Sequence, residues 1–226
     1  MQPFDGTHKP LVSIIILCCN QVEVTKLCLQ SLQRHTSYPH QLLLVDNGST
    51  DATHSVLQQF AKEGHAGLME LAILRNEQNV GFAAGVNQAL KRASGEFIVL
   101  LNNDTVLTPG WLEGLVDAAQ HVELAGMVGA VSNEVPAPQR VAPGYGSDLQ
   151  GLDAFAIQRR ETHARQVMQV ERLSGFCVLI PRPVLGKVGL LDERFGLGFF
   201  EDDDLGVRIR KAGFRLIVAF DTYIHH

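Results

Sequence analysis

Short apolar runs of strand length recur along the chain, and in the first half each is followed by a segment whose apolar residues return at helical spacing. A strand buried on both faces reads as a continuous apolar run, and parallel neighbours need a helical crossover between them. The pattern therefore predicts βαβ units, an α/β fold with a mostly parallel central sheet flanked by helices. The spacing predicts strands over 11–17, 42–45, 68–74, 97–101, 127–131, 176–180 and 214–220. Val24, Leu27, Cys28 and Leu32 fall on one face of a first helix, Val56, Leu57 and Phe60 on a second, and Val86, Ala89, Leu90 and Ala93 on a third. Pro109 marks the start of a helix over 111–120 with Leu112, Leu115, Val116 and Ala119 as its stripe. Further helices are expected after Pro183 and over 203–212. From 133 to 168 the periodicity fails, and Pro136, Pro138, Pro143, Gly144 and Gly146 predict a long irregular connection, a type common in lids and binding loops.

Length and charge narrow the class. At 226 residues the chain suits one domain with a core large enough to need no disulfide or structural metal. Nineteen Lys and Arg against 24 Asp and Glu give a net charge of −5, which disfavours a nucleic-acid partner. Cys18, Cys19, Cys28 and Cys177 show no metal-ligand spacing and read as buried thiols of a reducing compartment. Residues 1–10 are polar, and the apolar run 11–19 is too short to span a bilayer and lacks the flanks of a signal peptide. A cytoplasmic location is expected on these grounds.

Three polar clusters follow predicted strands, and in an open α/β sheet ligands bind beyond the carboxyl ends of the strands. Asn102-Asn103-Asp104 offers hard oxygen ligands suited to Mg²⁺ or Mn²⁺, although such residues after a strand are commonly ordinary turn formers. Asp46-Asn47-Gly48-Ser49-Thr50-Asp51 can serve a nucleoside or cap the next helix. Gly81 and Gly85 permit close backbone approach at a helix start, but do not form the G-x-G-x-x-G of a dinucleotide site. The run Glu201-Asp202-Asp203-Asp204 holds four of the 24 acids, leaving the remainder of the chain nearly balanced. Part of it suits a helix N-terminus, with Asp204 and Arg208 one turn apart. Four adjacent carboxylates repel unless a cation or a raised pKa relieves them, and an acid so perturbed suits general-base work.

Taken in order, these motifs resemble glycosyltransferase family 2, whose members have the GT-A fold. The likeness is carried by Val12-Ser13-Ile14-Ile15-Ile16-Leu17-Cys18-Cys19-Asn20, Val45-Asp46-Asn47-Gly48-Ser49-Thr50-Asp51, Asn79-Val80-Gly81-Phe82, Leu101-Asn102-Asn103-Asp104-Thr105 and Phe200-Glu201-Asp202-Asp203-Asp204-Leu205. Ser174-Gly175-Phe176 and Leu191-Asp192-Glu193-Arg194-Phe195 also look like the segment that such enzymes place ahead of the catalytic acid.

The resemblance implies a single domain over 1–226, with a nucleotide-sugar half over 10–132 and an acceptor half over 133–226. It implies inverting transfer of a hexose or deoxyhexose from a UDP- or dTDP-linked donor to a glycan or glycolipid hydroxyl, in bacterial surface polysaccharide assembly. Asp46, Cys19 and Asn20 would line the nucleoside pocket, with Asn79 and Gly81 near ribose and phosphates. Asn102, Asn103 and Asp104 stand at the Asp-x-Asp position, with Asn replacing the first Asp. Asp104 would bind the divalent cation (Mg²⁺ or Mn²⁺). Asp202 would be the base, with Glu201 and Asp203 as stand-ins, and His225, ahead of His226, the metal-binding histidine. Family members usually continue past this point, so a C-terminal truncation is expected, as is peripheral contact with the inner membrane face through the acceptor. Two rivals remain at this stage: a nucleotidyltransferase, against which the loop Cys18-Cys19-Asn20-Gln21 lacks a Gly-rich basic sequence, and a catalytically silent sugar or nucleotide binding module.

Overall fold

In the computed structural model, which describes residues 9–226, the first apolar run forms β1 (Val12–Cys18), nearly all of it buried. The polar lead over 1–8, on which the signal-peptide reading partly rests, lies outside the described residues. The chain continues through α1 (Val22–His35), β2 (His40–Asn47), α2 (Thr53–Glu63), β3 (Leu68–Asn76), α3 (Phe82–Leu90) and β4 (Phe97–Asn102). It then runs through α4 (Trp111–His121), β5 (Ala125–Val131), α5 (Leu152–Thr162), β6 (Val167–Val170) and β7 (Cys177–Pro181). The final elements are α6 (Arg182–Val188), a 3-10 turn at Glu193–Phe195, α7 (Glu201–Lys211) and β8 (Arg215–Tyr223).

The strands form one mixed sheet in the order β3-β2-β1-β4-β7-β5-β8-β6. β1, β2, β3 and β4 are parallel, as are β5 and β8, while β7 runs against β4 and β5 and β6 against β8. Side chains alternate across this sheet as a period of two requires. Ile14 and Ile16 pack with Leu29, Leu32, Leu57, Trp111 and Leu115 on one face, and Ile15 with Leu43, Val45, Val86 and Ala89 on the other. Truncating a side chain such as Leu43 to Ala in a core of this kind costs about 2–5 kcal/mol.

Two expectations need correction. The 133–168 connection is not wholly irregular, since it contains α5 and the start of β6. The helix escapes a periodicity search because only Leu152 and Ala156 are buried along it. Leu27 is 48% exposed, although α1 was expected to turn it inward. The inner face of α1 is instead Thr25, Cys28, Leu29, Ser31 and Leu32.

The sheet's amino-end edge is sealed by polar side chains that satisfy one another. Ser13 Oγ donates to Gln41 Oε1 at 2.7 Å and accepts from the Gly95 amide at 2.8 Å. All four cysteines are free, and burial raises the thiol pKa of Cys18, Cys28 and Cys177, leaving them unreactive. No helix among the described residues is long and apolar enough to cross a membrane.

At this same edge His40 Nε2 and His65 Nε2 lie 2.9 Å apart, an arrangement that needs one N–H and one bare nitrogen. Burial lowers both pKa values, that of His65 to about 4, where its His40 neighbour lowers it further. The unfolded chain therefore binds more protons than the native one between about pH 6.5 and pH 4. Stability contributed by this pair is complete above that window and lost as pH falls through it. Urea midpoints measured at pH 7.5 and pH 5 are expected to fall for the wild type, and to fall less for His65→Gln.

Candidate functional site

Helix α1 carries the chain from β1 outward to β2, and α3 returns it from β3 to β4 on the other side of β1. The carboxyl ends of β1 and β4 thus border a crevice where the order reverses, the position at which such sheets bind ligands. Because β7 is antiparallel to β4, its entry segment Ser174-Gly175-Phe176 reaches the same edge. β8 runs parallel to β5 and delivers His225 and His226 there as well.

The end of the crevice expected to take the nucleoside is built by cross-links between loops. Asn20 Oδ1 accepts the amides of Thr50 at 2.8 Å and Asp51 at 3.3 Å, clipping the loop after β1 to the one after β2. Asn79 Oδ1 accepts from Asn47 Nδ2 at 2.9 Å and from the Gly81 amide at 2.8 Å, while its Nδ2 approaches Cys19 Sγ at 3.5 Å. The structure thus brings Cys19, Asn20, Asn79 and Gly81 together, as the motifs imply.

Asp46 is placed differently from the simplest expectation, because it has no exposed surface. Its Oδ1 accepts the Ser49 amide at 3.0 Å, and its Oδ2 lies 2.9 Å from His54 Nδ1 and 3.6 Å from Arg75 Nε. A carboxylate held this way organises its neighbours, His54 and the half-exposed Arg75, and has no surface of its own to offer a ligand. No sequence motif flags these two, since they approach from α2 and β3.

The end expected to hold a cation has fewer side chains. Asn103 Nδ2 donates to Thr25 Oγ1 at 2.9 Å and so turns back to α1. Asn102 lines the cavity described below, and Asp104 Oδ1 lies 3.3 Å from Nε2 of His226. His226, and not the expected His225, therefore faces Asp104. His225 Nδ1 is instead bonded to the Tyr145 hydroxyl at 2.6 Å. The reason is a clamp: the Asn133 side chain accepts the His226 amide at 2.9 Å and donates to its carbonyl at 2.7 Å. The His226 ring also stacks on Phe176, with centroids 5.2 Å apart. The hydrogen bond to Asp104 raises the pKa of His226, and the same bond lowers that of Asp104.

Among the described residues no group of three or more His, Cys, Asp or Glu side chains is arranged around a cation. One carboxylate and one imidazole at this separation do fit Mg²⁺ or Mn²⁺ that takes its other ligands from substrate phosphate and water.

The four acids at the start of α7 have separate fates. Asp203 pairs with Arg172 at 2.6 Å and Asp204 with Arg208 at 2.7 Å. Asp202 Oδ2 accepts the Gly175 amide at 2.9 Å and its Oδ1 the Asp203 amide at 2.9 Å. A Cβ at Gly175 would come within 2.7 Å of Asp202 Oδ2, so only glycine lets that strand approach the acid. Glu201 is buried, its Oε2 lacks a partner, and burial followed by the charges of Asp202 and Asp203 raises its pKa. The repulsion expected of the run is thus relieved by two guanidinium groups, two amides and one perturbed carboxyl. Asp202 and His226 both line a single cavity of about 530 Å³, together with Asn102, Phe176 and Glu201.

Comparison with known proteins identifies the family and the fold. The profile described as Glycosyl transferase family 2 matches residues 13–188. An O-antigen biosynthesis protein of Myxococcus xanthus is 32% identical over 239 residues, covering 99% of this chain but 18% of that protein. N-acetylglucosaminyl-diphospho-decaprenol L-rhamnosyltransferase of Mycobacterium tuberculosis is 29% identical over 227 residues, 88% of this chain and 70% of that protein. A mannosyltransferase of Pyrobaculum calidifontis, solved with GDP-Man and Mn²⁺, has a similar fold at TM-score 0.71 and 19% identity, covering 100% of this chain and 60% of its own. GalNAc-T7, solved with UDP, GalNAc and Mn²⁺, gives TM-score 0.74 at 15% identity, over 96% of this chain and 43% of its own. With a GT-A-like fold and a family profile matched over most of its length, the chain belongs to glycosyltransferase family 2.

Proposed function

We propose that this domain is an inverting, metal-dependent glycosyltransferase that moves a hexose or deoxyhexose from a pyrimidine nucleotide-diphosphate donor to a hydroxyl of a polysaccharide precursor. The acceptor is a sugar on a diphospho-polyprenol carrier, the class named for the mycobacterial relative. The observation that carries the reading is one cavity lined by both Asp202, held by two amides, and His226, paired with Asp104.

Asp202 takes the acceptor proton. Asp203 and Asp204 are committed to arginines, and the Gly175 amide fixes the orientation of the Asp202 carboxylate while leaving lone pairs free. Asp46 shapes the nucleoside pocket through His54 and Arg75. Asp104 and His226 would hold Mg²⁺ or Mn²⁺, which when bound neutralises charge on the leaving diphosphate. Direct displacement at the anomeric carbon then inverts its configuration and needs no covalent enzyme intermediate.

Release of nucleoside diphosphate from UDP- and dTDP-sugars, dTDP-rhamnose included, tests the reading. Asp202→Asn is expected to lower kcat by roughly 10²–10⁴-fold, the usual contribution of a general base. Equal turnover by the variant would remove Asp202 from the role, and donor binding without turnover in the wild type would favour a silent module. Gly175→Ala is expected to cost about 10²-fold in kcat by displacing the carboxylate while melting close to wild type.

Asn133→Ala is expected to weaken Mn²⁺ binding by about 10–100-fold, the range for lost outer-sphere support. Titration of Mn²⁺ followed by its electron paramagnetic resonance signal reads this without turnover. Unchanged affinity would place the metal away from His226.

A further inference from the structure

Asn47, the last residue of β2, carries a side-chain amide buried to 1% exposure. Such an amide has two N–H donors and an oxygen with two lone pairs, and here all four are taken. Nδ2 donates to Asn79 Oδ1 at 2.9 Å and to the Gly81 carbonyl at 3.2 Å. Oδ1 accepts from Asn76 Nδ2 at 2.9 Å and from the Val80 amide at 3.2 Å. With no hydrogen-bonding capacity left for a ligand, Asn47 acts on one only through what it holds.

What it holds is a single loop. All four partners lie in 76–81, the connection from β3 to α3, and residues 77–80 of that loop are exposed and bring no buried anchor of their own. The neighbouring backbone is moulded to the same loop, since a Cβ at Gly48 would collide with the main chain of Gln78 and Asn79. Two contacts diverge from here. Asn79 Nδ2 approaches Cys19 Sγ at 3.5 Å, at the end of the crevice expected to take the nucleoside. Gly81 abuts the Gly196 carbonyl, and the Phe82 amide bonds the Leu197 carbonyl at 3.3 Å. Phe82 and Leu197 both line the Asp202 cavity. A buried polar group that loses its partner must move or stay unsatisfied, so a disturbance at Asn47 is passed to both places.

We propose that Asn47 is a positioning residue for sugar transfer: from the end of β2 it sets the loop that walls the donor pocket and, through Gly81, the rim of the Asp202 cavity. This rests on the nucleotide-sugar reading above. Asn47→Asp is the informative substitution. It keeps the shape and the two bonds accepted by Oδ1, but sets an oxygen against Asn79 Oδ1 and the Gly81 carbonyl.

Cys19 reports on the loop without any ligand. It is half-buried, while the other three thiols are buried with raised pKa values, so iodoacetamide reaches Cys19 first. Its labelling, read by mass spectrometry, is expected to be at least about tenfold faster in Asn47→Asp than in the wild type. In nucleoside diphosphate release, the donor KM is expected to rise about tenfold and kcat to fall by about 10–10²-fold as the rim is displaced. Lowering the pH from about 8.5 to about 6.5 is expected to recover part of this loss in the variant alone, because the protonated carboxyl again offers one donor and burial raises its pKa. Asn76→Ala removes one bond at Oδ1 and leaves Gly81 in place, and is expected to change labelling and KM by less than about threefold. Should circular dichroism and melting show that Asn47→Asp does not fold, Asn47→Ser is expected to move labelling and KM in the same direction without the pH response. Labelling and kcat equal to the wild type, or a loss in Asn47→Asp that pH leaves untouched, would overturn the proposal. The donor reading is judged on the wild type, where UDP or dTDP with Mn²⁺ is expected to protect Cys19. Protection by neither nucleotide sinks the donor reading and the proposal with it, whereas protection together with unchanged labelling in the variant sinks the role of Asn47 alone.

Discussion

β1 is paired on both edges and packed on both faces, so its only outlets are its two ends. Parallel pairing with β2 and β4 sends the following loops to one edge, and the reversal of direction across β1 opens the crevice between them. The loops that carry Asn20, Thr50 and Asn102 to one edge depend on this constraint. Shifting β1 by one residue would exchange Ile15 for Ile14 and Ile16 between the two cores and move the Cys19-Asn20 loop out of reach of Thr50 and Asp51.

The second half of the sheet solves a different problem. A purely parallel continuation would put only carboxyl ends at the site, whereas Asp202 also accepts an amide from the segment that enters β7. The antiparallel β7 brings the amide of Gly175 to that edge, and the lack of a side chain there admits the Asp202 carboxylate. Asp202 is thus held from the segment entering β7, 27 positions earlier, as well as from its own helix. Buried charge is tolerated in this region because each acid has its own remedy.

How legible this was depended on range. Strands β1, β2 and β4 and helix α3 were readable because their burial is dense enough to leave a local apolar pattern. Helix α5 was not, since two buried positions do not make a stripe. Motif order pointed to Asp104 and Asp202, but it could not say which of the two histidines faces Asp104. That choice follows from Asn133, 93 positions away, gripping the backbone of the last residue. The sealing of Asp46 by His54 and Arg75 was hidden for the same reason, as those partners come from other elements and carry no motif. Local patterns report burial, whereas the identity of a polar partner is a tertiary fact.

One close approach ties the loop after β3 to the rim of the Asp202 cavity. Gly81, at φ 92°, lies so near the Gly196 carbonyl that a Cβ at 81 would collide with it, and the next amide bonds the Leu197 carbonyl. Backbone meets backbone here, with no side chain to yield. A change that moves position 196 must therefore also rebuild the turn at 81, so the loop after β3 and the rim of the Asp202 cavity cannot be varied independently.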